Sequence, residues 1–212
     1  MRRKMTLWGI VGICAMAMGT SASGVTVLFS DSFEGDTPGV KTSLNNWTVT
    51  RGDVDVLPQS ALGLGGSDQI IDLAGNVAGR MESRQAFTLE PGLYTLSFDV
   101  AGSQRASSPL DVVRVLFGDE VLVTSTRYFQ DQFQGITVQL NPTETTSGRI
   151  VFDQQTDAWA TSQGVLIDNV ILRDHRPSGG PVPIPVPAAI WTGMATMAGL
   201  GAMQLIRRRG HG

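Results

Sequence analysis

Two aromatic side chains stand in polar stretches whose residue types could bind a sugar. Trp159 lies in the segment 153–163, and Tyr128 lies beside Arg127 and close to Asp131 in a second, turn-like stretch. Aromatic faces pack against the C–H surfaces of sugars, while carboxylate and amide groups bond to the hydroxyls. These four residues form a candidate glycan-binding set. The structural alternative is that Trp159 caps one end of the core.

The residue types that most enzymes need are scarce. The chain has one cysteine and two histidines, which excludes disulfide scaffolds, Cys/His zinc sites and nucleophiles activated by a well-placed histidine. His175 lies beside a predicted linker, a poor position for a general base. Among 19 carboxylates, some pair will lie at a glycosidase distance by chance. We predict a protein without catalytic residues and keep a small envelope glycoside hydrolase as an alternative.

The charges are divided between the middle of the chain and its ends. All 19 acidic residues lie between Asp31 and Asp174, whereas six of the 16 basic residues lie outside residues 24–177. The middle therefore carries ten basic and 19 acidic groups, a net charge of −9, although the whole chain has a formal net charge of −3. An acidic surface disfavours nucleic acid, because phosphate binding needs a basic face.

The elements that must position these side chains are short strands. About ten apolar or alternating segments are separated by Gly, Pro, Asn and Asp, and Leu93–Val100 alternates over its whole length. Val112–Phe117 and Val121–Thr124 flank a predicted hairpin turn. We predict an all-β fold, an antiparallel β-sandwich, over residues 24–177. The Arg51-Gly52-Asp53 tripeptide is predicted to be a hairpin turn.

The two ends of the chain predict export. Residues 1–23 carry a basic cluster, an apolar run and then small residues, the three-part pattern of a signal peptide. Residues 178–187 form a Gly/Pro-rich linker, and residues 188–206 contain no charge, which suffices for one transmembrane helix. The Arg-rich tail 207–212 is expected in the cytoplasm, with the domain outside.

This C-terminus resembles the PEP-CTERM class of bacterial sorting signals, in its Val-Pro-x-Pro variant. The resemblance rests on a proline motif, an apolar helix and a terminal arginine cluster, in that order. It implies an exosortase-type membrane enzyme as a partner, and transfer to the cell surface or extracellular matrix. The matching residues are Val182, Pro183, Ile184, Pro185, Val186, Pro187, Arg207, Arg208 and Arg209.

The central domain resembles the galactose-binding-domain-like jelly rolls of the choice-of-anchor type. The resemblance implies a jelly roll whose first and last strands lie close together. It also implies a structural Ca²⁺ held there by hard oxygen ligands, with Glu34 and Asp168 as matching ligands and Asp36 as a possible third. The alternative is that Asp168 only bonds to the N-terminal loop. The motifs that carry the likeness are 31–34, 46–49, 52–56, 67–76, 94–102 and 164–170.

Together these features predict an exported, non-enzymatic module at the cell surface or in the matrix. We expect it to bind glycan or exopolysaccharide, or to act in adhesion. A purely structural surface protein is the main alternative, and it predicts that the rings of Trp159 and Tyr128 are buried. A lectin-like module predicts instead that both rings are exposed on one face.

Overall fold

The computed structural model of the chain describes residues 24–105, 110–155 and 163–177. Contacts group Ala22–Pro177 into one compact unit. In the described ranges, no helix is long and apolar enough to cross a membrane. The predicted signal peptide 1–23, linker with sorting motif 178–187, transmembrane helix 188–206 and tail 207–212 lie outside the described residues and stay predictions.

Strands account for nearly all regular structure in the described ranges. A single 3-10 turn at Gln59–Leu62 is the helical exception there. The fourteen strands are β1 (Thr26–Asp31), β2 (Gly39–Lys41), β3 (Trp47–Arg51), β4 (Val54–Pro58), β5 (Gln69–Asp72), β6 (Arg80–Ser83), β7 (Phe87–Leu89), β8 (Tyr94–Ala101), β9 (Asp111–Phe117), β10 (Glu120–Arg127), β11 (Gln134–Leu140), β12 (Thr146–Gly148), β13 (Ile150–Gln154) and β14 (Leu166–Asp174).

Two antiparallel sheets face each other. The larger, seven-stranded sheet has the order β11-β8-β14-β5-β4-β2. The seventh strand, β1, lies on the same side of β14 as β5: β5 pairs with the start of β14 and β1 with its end. The smaller sheet has the order β10-β9-β13-β6-β3, and β7 pairs with β12 separately. The predicted all-β, antiparallel fold is confirmed, and the first and last strands are indeed neighbours.

An aromatic cluster fills the space between the sheets. Trp47 is fully buried, and its ring lies 5.5 Å from Phe29 and 5.6 Å from Phe152, between centroids. Phe98 approaches Phe152 edge-on at 5.3 Å. The indole N–H of Trp47 donates to Asp31 Oδ2 at 2.7 Å, so the one polar atom of the ring is satisfied. Trp47 and Phe98 lie in strand patterns of the sequence, which predicts core positions for both, and the structure confirms that prediction.

One predicted turn is right and one is wrong. The β9–β10 hairpin turns at Gly118-Asp119, as expected. The Arg51-Gly52-Asp53 segment is not a hairpin, because β3 belongs to the smaller sheet and β4 to the larger one. Gly52 has φ +60°, and a Cβ there would collide with the carbonyl of Ala78. The chain therefore needs glycine to cross tightly between the sheets.

Candidate functional site

Three of the four predicted glycan-binding residues, Arg127, Tyr128 and Asp131, lie at one end of the sandwich, where β10 of the smaller sheet leads into β11 of the larger one. The connecting loop begins at Tyr128 and contains Asp131. Its end is placed by the register of β11 on β8, which pairs Gln134 with Val100. The loop that follows β8, starting at Gly102, therefore lies against it.

Tyr128 presents an exposed ring on a tightly held turn. Its side chain and backbone together are 58% exposed. The Asp131 carboxylate accepts the N–H of Tyr128 at 2.9 Å, and the Asp131 N–H donates to the Tyr128 carbonyl at 3.0 Å. This reciprocal pair fixes the backbone under the ring. The ring is therefore available for stacking at a small cost in conformational entropy.

A second loop clamps this turn from behind. Gln104 donates its backbone N–H to Phe129 O at 2.7 Å and its side-chain Nε2 to Asp131 O at 2.7 Å. Gly102 N also donates to Asp131 O, at 3.0 Å. A Cβ on Gly102 would collide with the carbonyl of Tyr128. Sequence reasoning missed Gln104, because nothing in the local pattern shows which loop it will meet.

The other predicted members of the set have different places. The Arg127 guanidinium donates to Gln134 Oε1 at 2.8 Å, so it braces the base of the loop. Gln130, Gln132 and Gln134 are exposed near Tyr128 and add amide donors and acceptors. Trp159 lies outside the described residues, so its predicted role is untested. The structure brings Tyr128 and Asp131 together, as a shared binding role requires.

Two of the three predicted calcium ligands lie near each other, beside the end of β1. Glu34 Oε1 accepts the backbone N–H of Gln69 at 2.6 Å. Asp168 is 3% exposed and accepts its neighbour Asn169 N at 2.7 Å, with a long contact from Gln59 Nε2 at 3.5 Å. Asp168 lies at an irregularity of β14 opposite Asp99.

The electrostatic environment of Asp168 suits a cation. Burial, reinforced by the charges of Asp99, Glu34 and Asp68, raises the pKa of Asp168 to about 6, although the hydrogen bond from Asn169 opposes the shift. A carboxylate that is buried among other carboxylates is costly to ionise unless a cation neutralises it. Carboxylate oxygens are the donor type that a hard cation such as Ca²⁺ prefers.

Asp36 belongs to a different place. Its Oδ1 accepts the backbone N–H of Asn45 at 2.8 Å, so it fastens the loop before β3. Among the residues that the structure describes, no group of three or more Asp, Glu, His or Cys side chains could hold a metal ion. The three predicted ligands are thus not gathered into one set.

A pair of carboxylates does lie on adjacent strands, since Asp55 of β4 is directly opposite Asp72 of β5. Asp72 is fully buried and accepts the N–H groups of Ala74 at 2.9 Å and Gly164 at 2.7 Å. Burial raises the pKa of Asp72 to about 8. Arg105 donates to its second oxygen at 3.1 Å. A carboxylate enclosed in this way holds loops together and cannot reach a glycosidic bond.

No family model and no curated protein matches this sequence. Among solved structures, the CBM22-1 xylan-binding domain of Paenibacillus barcinonensis Xyn10C is similar at 16% identity and a TM-score of 0.48, over 73% of this chain and 98% of that chain. The C-terminal CBM6 of a marine laminarinase from Zobellia galactanivorans has 10% identity and a TM-score of 0.42, over 71% and 100%.

A third similar structure is the CBM6cm-2 module of Cellvibrio mixtus lichenase 5A, solved with cellotriose. Its identity is 10% and its TM-score 0.42, over 70% of this chain and 98% of that chain. These structural neighbours are carbohydrate-binding modules with a jelly-roll fold. At such identities the likeness concerns the fold.

Proposed function

We propose that this protein is an exported, non-enzymatic module that binds glycan through the loop end of its β-sandwich. The observation that carries the proposal is the exposed ring of Tyr128 on a backbone fixed by Asp131 and Gln104. Few large apolar side chains of the described residues are this exposed, and the others are aliphatic. A purely structural role would give no reason to hold a tyrosine ring in solvent on a rigid turn.

The surroundings of the ring supply the polar half of sugar recognition. The same loop and the start of β11 carry the exposed side chains of Gln130, Gln132 and Gln134. Among the described residues the Tyr128 ring has no neighbouring aromatic partner. In sugar-binding sites an aromatic ring commonly stacks on one face of the sugar, while side-chain amides form hydrogen bonds with its hydroxyls. Uncharged polysaccharides are therefore the ligand class for this end of the domain.

The test is affinity electrophoresis of the purified full chain in gels that contain neutral polysaccharides such as xylan, laminarin or dextran. We expect retardation by at least one of them. Tyr128→Ala should weaken binding about tenfold, since a stacked aromatic ring contributes about 0.5–1.5 kcal/mol. The matched variant Tyr128→Phe keeps the ring and should retain binding. Equal binding by Tyr128→Ala, or no retardation of the wild-type chain, would contradict the proposal.

We also propose that Glu34 and Asp168 help to hold a structural Ca²⁺. Such an ion would tie the end of β1 to β14 and neutralise the buried Asp168 carboxylate, without taking part in glycan chemistry. Calcium should raise the melting temperature of the wild-type chain, because a ligand that binds only the folded state stabilises it. In Asp168→Asn this increase should disappear. Unchanged melting of both chains over a calcium titration would refute the site.

The route to the cell surface is the third part of the proposal. An exosortase-type enzyme would recognise Val182–Pro187, with residues 188–206 in the membrane and Arg207–Arg209 in the cytoplasm. Mass spectrometry of the mature protein from a host with such an enzyme should show both ends removed. A chain recovered from the cytosol with residues 1–23 and 207–212 intact would contradict the route.

A further inference from the structure

The outward face of the smaller sheet carries a row of polar side chains that crosses all five strands and is charged on four of them. The strand registers place Thr124 of β10, Arg114 of β9, Asp153 of β13, Arg80 of β6 and Arg51 of β3 side by side. Residues that are directly opposite in paired strands point to the same face. With strands about 4.8 Å apart, the row is roughly 19 Å long.

Two further arginines extend this face toward the other end of the strands. Arg84 follows β6, and Arg149 precedes β13. Arg149 donates to the carbonyls of Ser83 and Arg84, which makes the two arginines neighbours. A shallow depression in the same face is lined by Thr48, Thr50, Glu82, Ser83, Arg84 and Arg149. We call the surface formed by Arg51, Arg80, Arg84, Arg114 and Arg149 the arginine face.

The positive charge of this face is only partly neutralised. Asp153 Oδ1 lies 2.7 Å from Arg51 and its Oδ2 lies 3.3 Å from Arg80, while Glu82 lies 3.1 Å from Arg80. Arg84 bonds to the Leu44 carbonyl and the Ser43 hydroxyl rather than to a carboxylate.

Arg114 is the least constrained member of the arginine face. It is exposed, and the described residues offer it no hydrogen-bond or ion-pair partner. Five of the ten basic residues in the stretch 24–177 therefore lie on this face with two carboxylates, Asp153 and Glu82, among them. Asp119, at the β9–β10 turn, lines its rim.

Two arginines of this face stand close together, and Asp153 relieves only part of their mutual repulsion. Arg51 and Arg80 are directly opposite each other in the β3–β6 register, and like charges in that position destabilise a sheet. Arg51 keeps about half of its side chain exposed, at 51%, so it still has donors to offer. Planar guanidinium groups bind carboxylate and sulfate oxygens through paired N–H donors. An array of them on an otherwise acidic domain is suited to an anionic ligand.

Resting on the proposed glycan-binding function, we infer that the arginine face binds anionic polysaccharide, through the carboxylate or sulfate groups of successive sugars. A chain that crosses the strands would meet Arg114, Arg80 and Arg51 in turn. The outward-facing row contains no aromatic ring; its members are Thr124, Arg114, Asp153, Arg80 and Arg51. Neither a neutral sugar nor a nucleic-acid base can therefore stack on this row. Recognition at this face is therefore electrostatic, unlike recognition at Tyr128.

The test measures binding of the purified full chain to polygalacturonate, dextran sulfate and neutral dextran at low and high NaCl, using calorimetry. We expect both charged polymers to bind, with affinity that falls as salt rises. The comparison between them shows whether carboxylate or sulfate is preferred. Arg114→Gln should weaken binding about tenfold, as expected for loss of a charge-assisted hydrogen bond.

Two matched variants make the result specific. Arg173→Gln removes the same charge from the outward face of the larger sheet, where Arg173 bonds to Ser97, and should leave binding unchanged. Glu82→Gln removes a negative charge from the arginine face and should tighten binding severalfold. Equal losses in Arg114→Gln and Arg173→Gln would overturn the inference, because net charge alone would explain them. Tighter binding of single-stranded DNA than of either charged polymer would also overturn it.

The two sites fail separately. Tyr128→Ala should leave polyanion binding intact, and Arg114→Gln should leave neutral-polysaccharide binding intact. If the wild-type chain does not bind the charged polymers, the arginine-face inference is wrong. If it does not bind neutral polysaccharides, the proposed function at Tyr128 is wrong.

Discussion

The outward faces of the two sheets differ in the charged groups they carry and in how deeply those groups are buried. On the larger sheet, Asp72 is fully buried and Asp168 is 3% exposed. A small apolar cluster of Ile70, Ala101 and Leu166, packed with Leu62 from the 3-10 turn and its surroundings, covers that face. On the smaller sheet, Arg51, Arg84 and Arg114 are exposed to solvent, and Arg80 and Arg149 are half-buried.

The contrast separates structural charges from available ones. A buried carboxylate must accept its hydrogen bonds from protein groups, as Asp72 does from Ala74, Gly164 and Arg105. An exposed guanidinium loses little by staying hydrated and can exchange water for a ligand. Asp72, on the covered outward face of the larger sheet, therefore holds loops together. On the open outward face of the smaller sheet, Arg51 keeps half of its side chain exposed and Arg114 is exposed without a partner among the described residues, so both can offer donors to a ligand.

The largest expected effect concerns the covered face. Asp72→Ala should lower the free energy of unfolding by about 3 kcal/mol, because two buried N–H groups and Arg105 lose their acceptor. Asp72→Asn keeps one acceptor oxygen and should cost less. Urea denaturation measures both. If Asp72→Ala proved as mild as removal of Asp153 from the open face, the contrast between the faces would be wrong.

The next effect is a pH dependence that arises from the covered face. Folding raises the pKa of Asp168 to about 6, above its unfolded value near 3.9. The folded state therefore binds a proton more tightly, and its advantage is lost as pH rises from about 4 to about 6. The free energy of unfolding should fall by on the order of 2 kcal/mol over that range.

Burial raises the pKa of Asp72 to about 8, so Asp72 adds a fall in the same direction that continues above pH 6. The control is therefore Asp168→Asn, which keeps the Asp72 contribution. Between pH 4 and 6 its free energy of unfolding should fall by on the order of 2 kcal/mol less than that of the wild-type chain.

Two other carboxyl groups have lowered pKa values. Burial raises the pKa of Asp53, but hydrogen bonds from Asn76 and Val77 outweigh it. The pKa of Asp174 is lowered mainly by its hydrogen bonds from Arg176. Their contribution is lost only at lower pH, so it does not mask the effect. Identical pH profiles for both chains would show that Asp168 is not the group responsible.

A smaller effect is expected on the open face. Asp153→Ala removes the carboxylate between Arg51 and Arg80 and should lower the free energy of unfolding by about 1 kcal/mol. The cost is modest because both guanidinium groups remain partly hydrated. Thermal denaturation compares it with Glu82→Gln, which should cost less still. A loss as large as that of Asp72→Ala would mean that the arginine face is a structural network.

The smallest effect sharpens the comparison most. Arg114→Gln should change the free energy of unfolding by less than about 0.5 kcal/mol, as is usual for exposed positions without a partner. The same variant should bind polyanions about tenfold more weakly. Calorimetric melting and binding measured on one preparation test both statements. A clear destabilisation would show that Arg114 supports the fold rather than a ligand.

Most of the strands could be predicted from the sequence, because alternating apolar residues and turn residues are local signals. Leu93–Val100 and the Gly118-Asp119 hairpin follow from them. β6 was missed because Arg80–Ser83 contains a single apolar side chain, Met81, and is a strand only through its neighbours β3 and β13. The error at Gly52 has the same origin, since one turn sequence can join strands within a sheet or between sheets.

The sequence by itself determined that the domain is all-β, that Trp47 and Phe98 are core residues, and that Tyr128 stands in a polar turn beside Asp131. It also determined that the central stretch is acidic. Only the tertiary structure decided where each charge lies, because strand register joins residues far apart in the chain. Arg51, Arg80 and Arg114 are unremarkable along the sequence and become one row when β3, β6, β13 and β9 pair. Net charge is a sum that sequence provides, whereas a binding face is an arrangement that the register of strands creates.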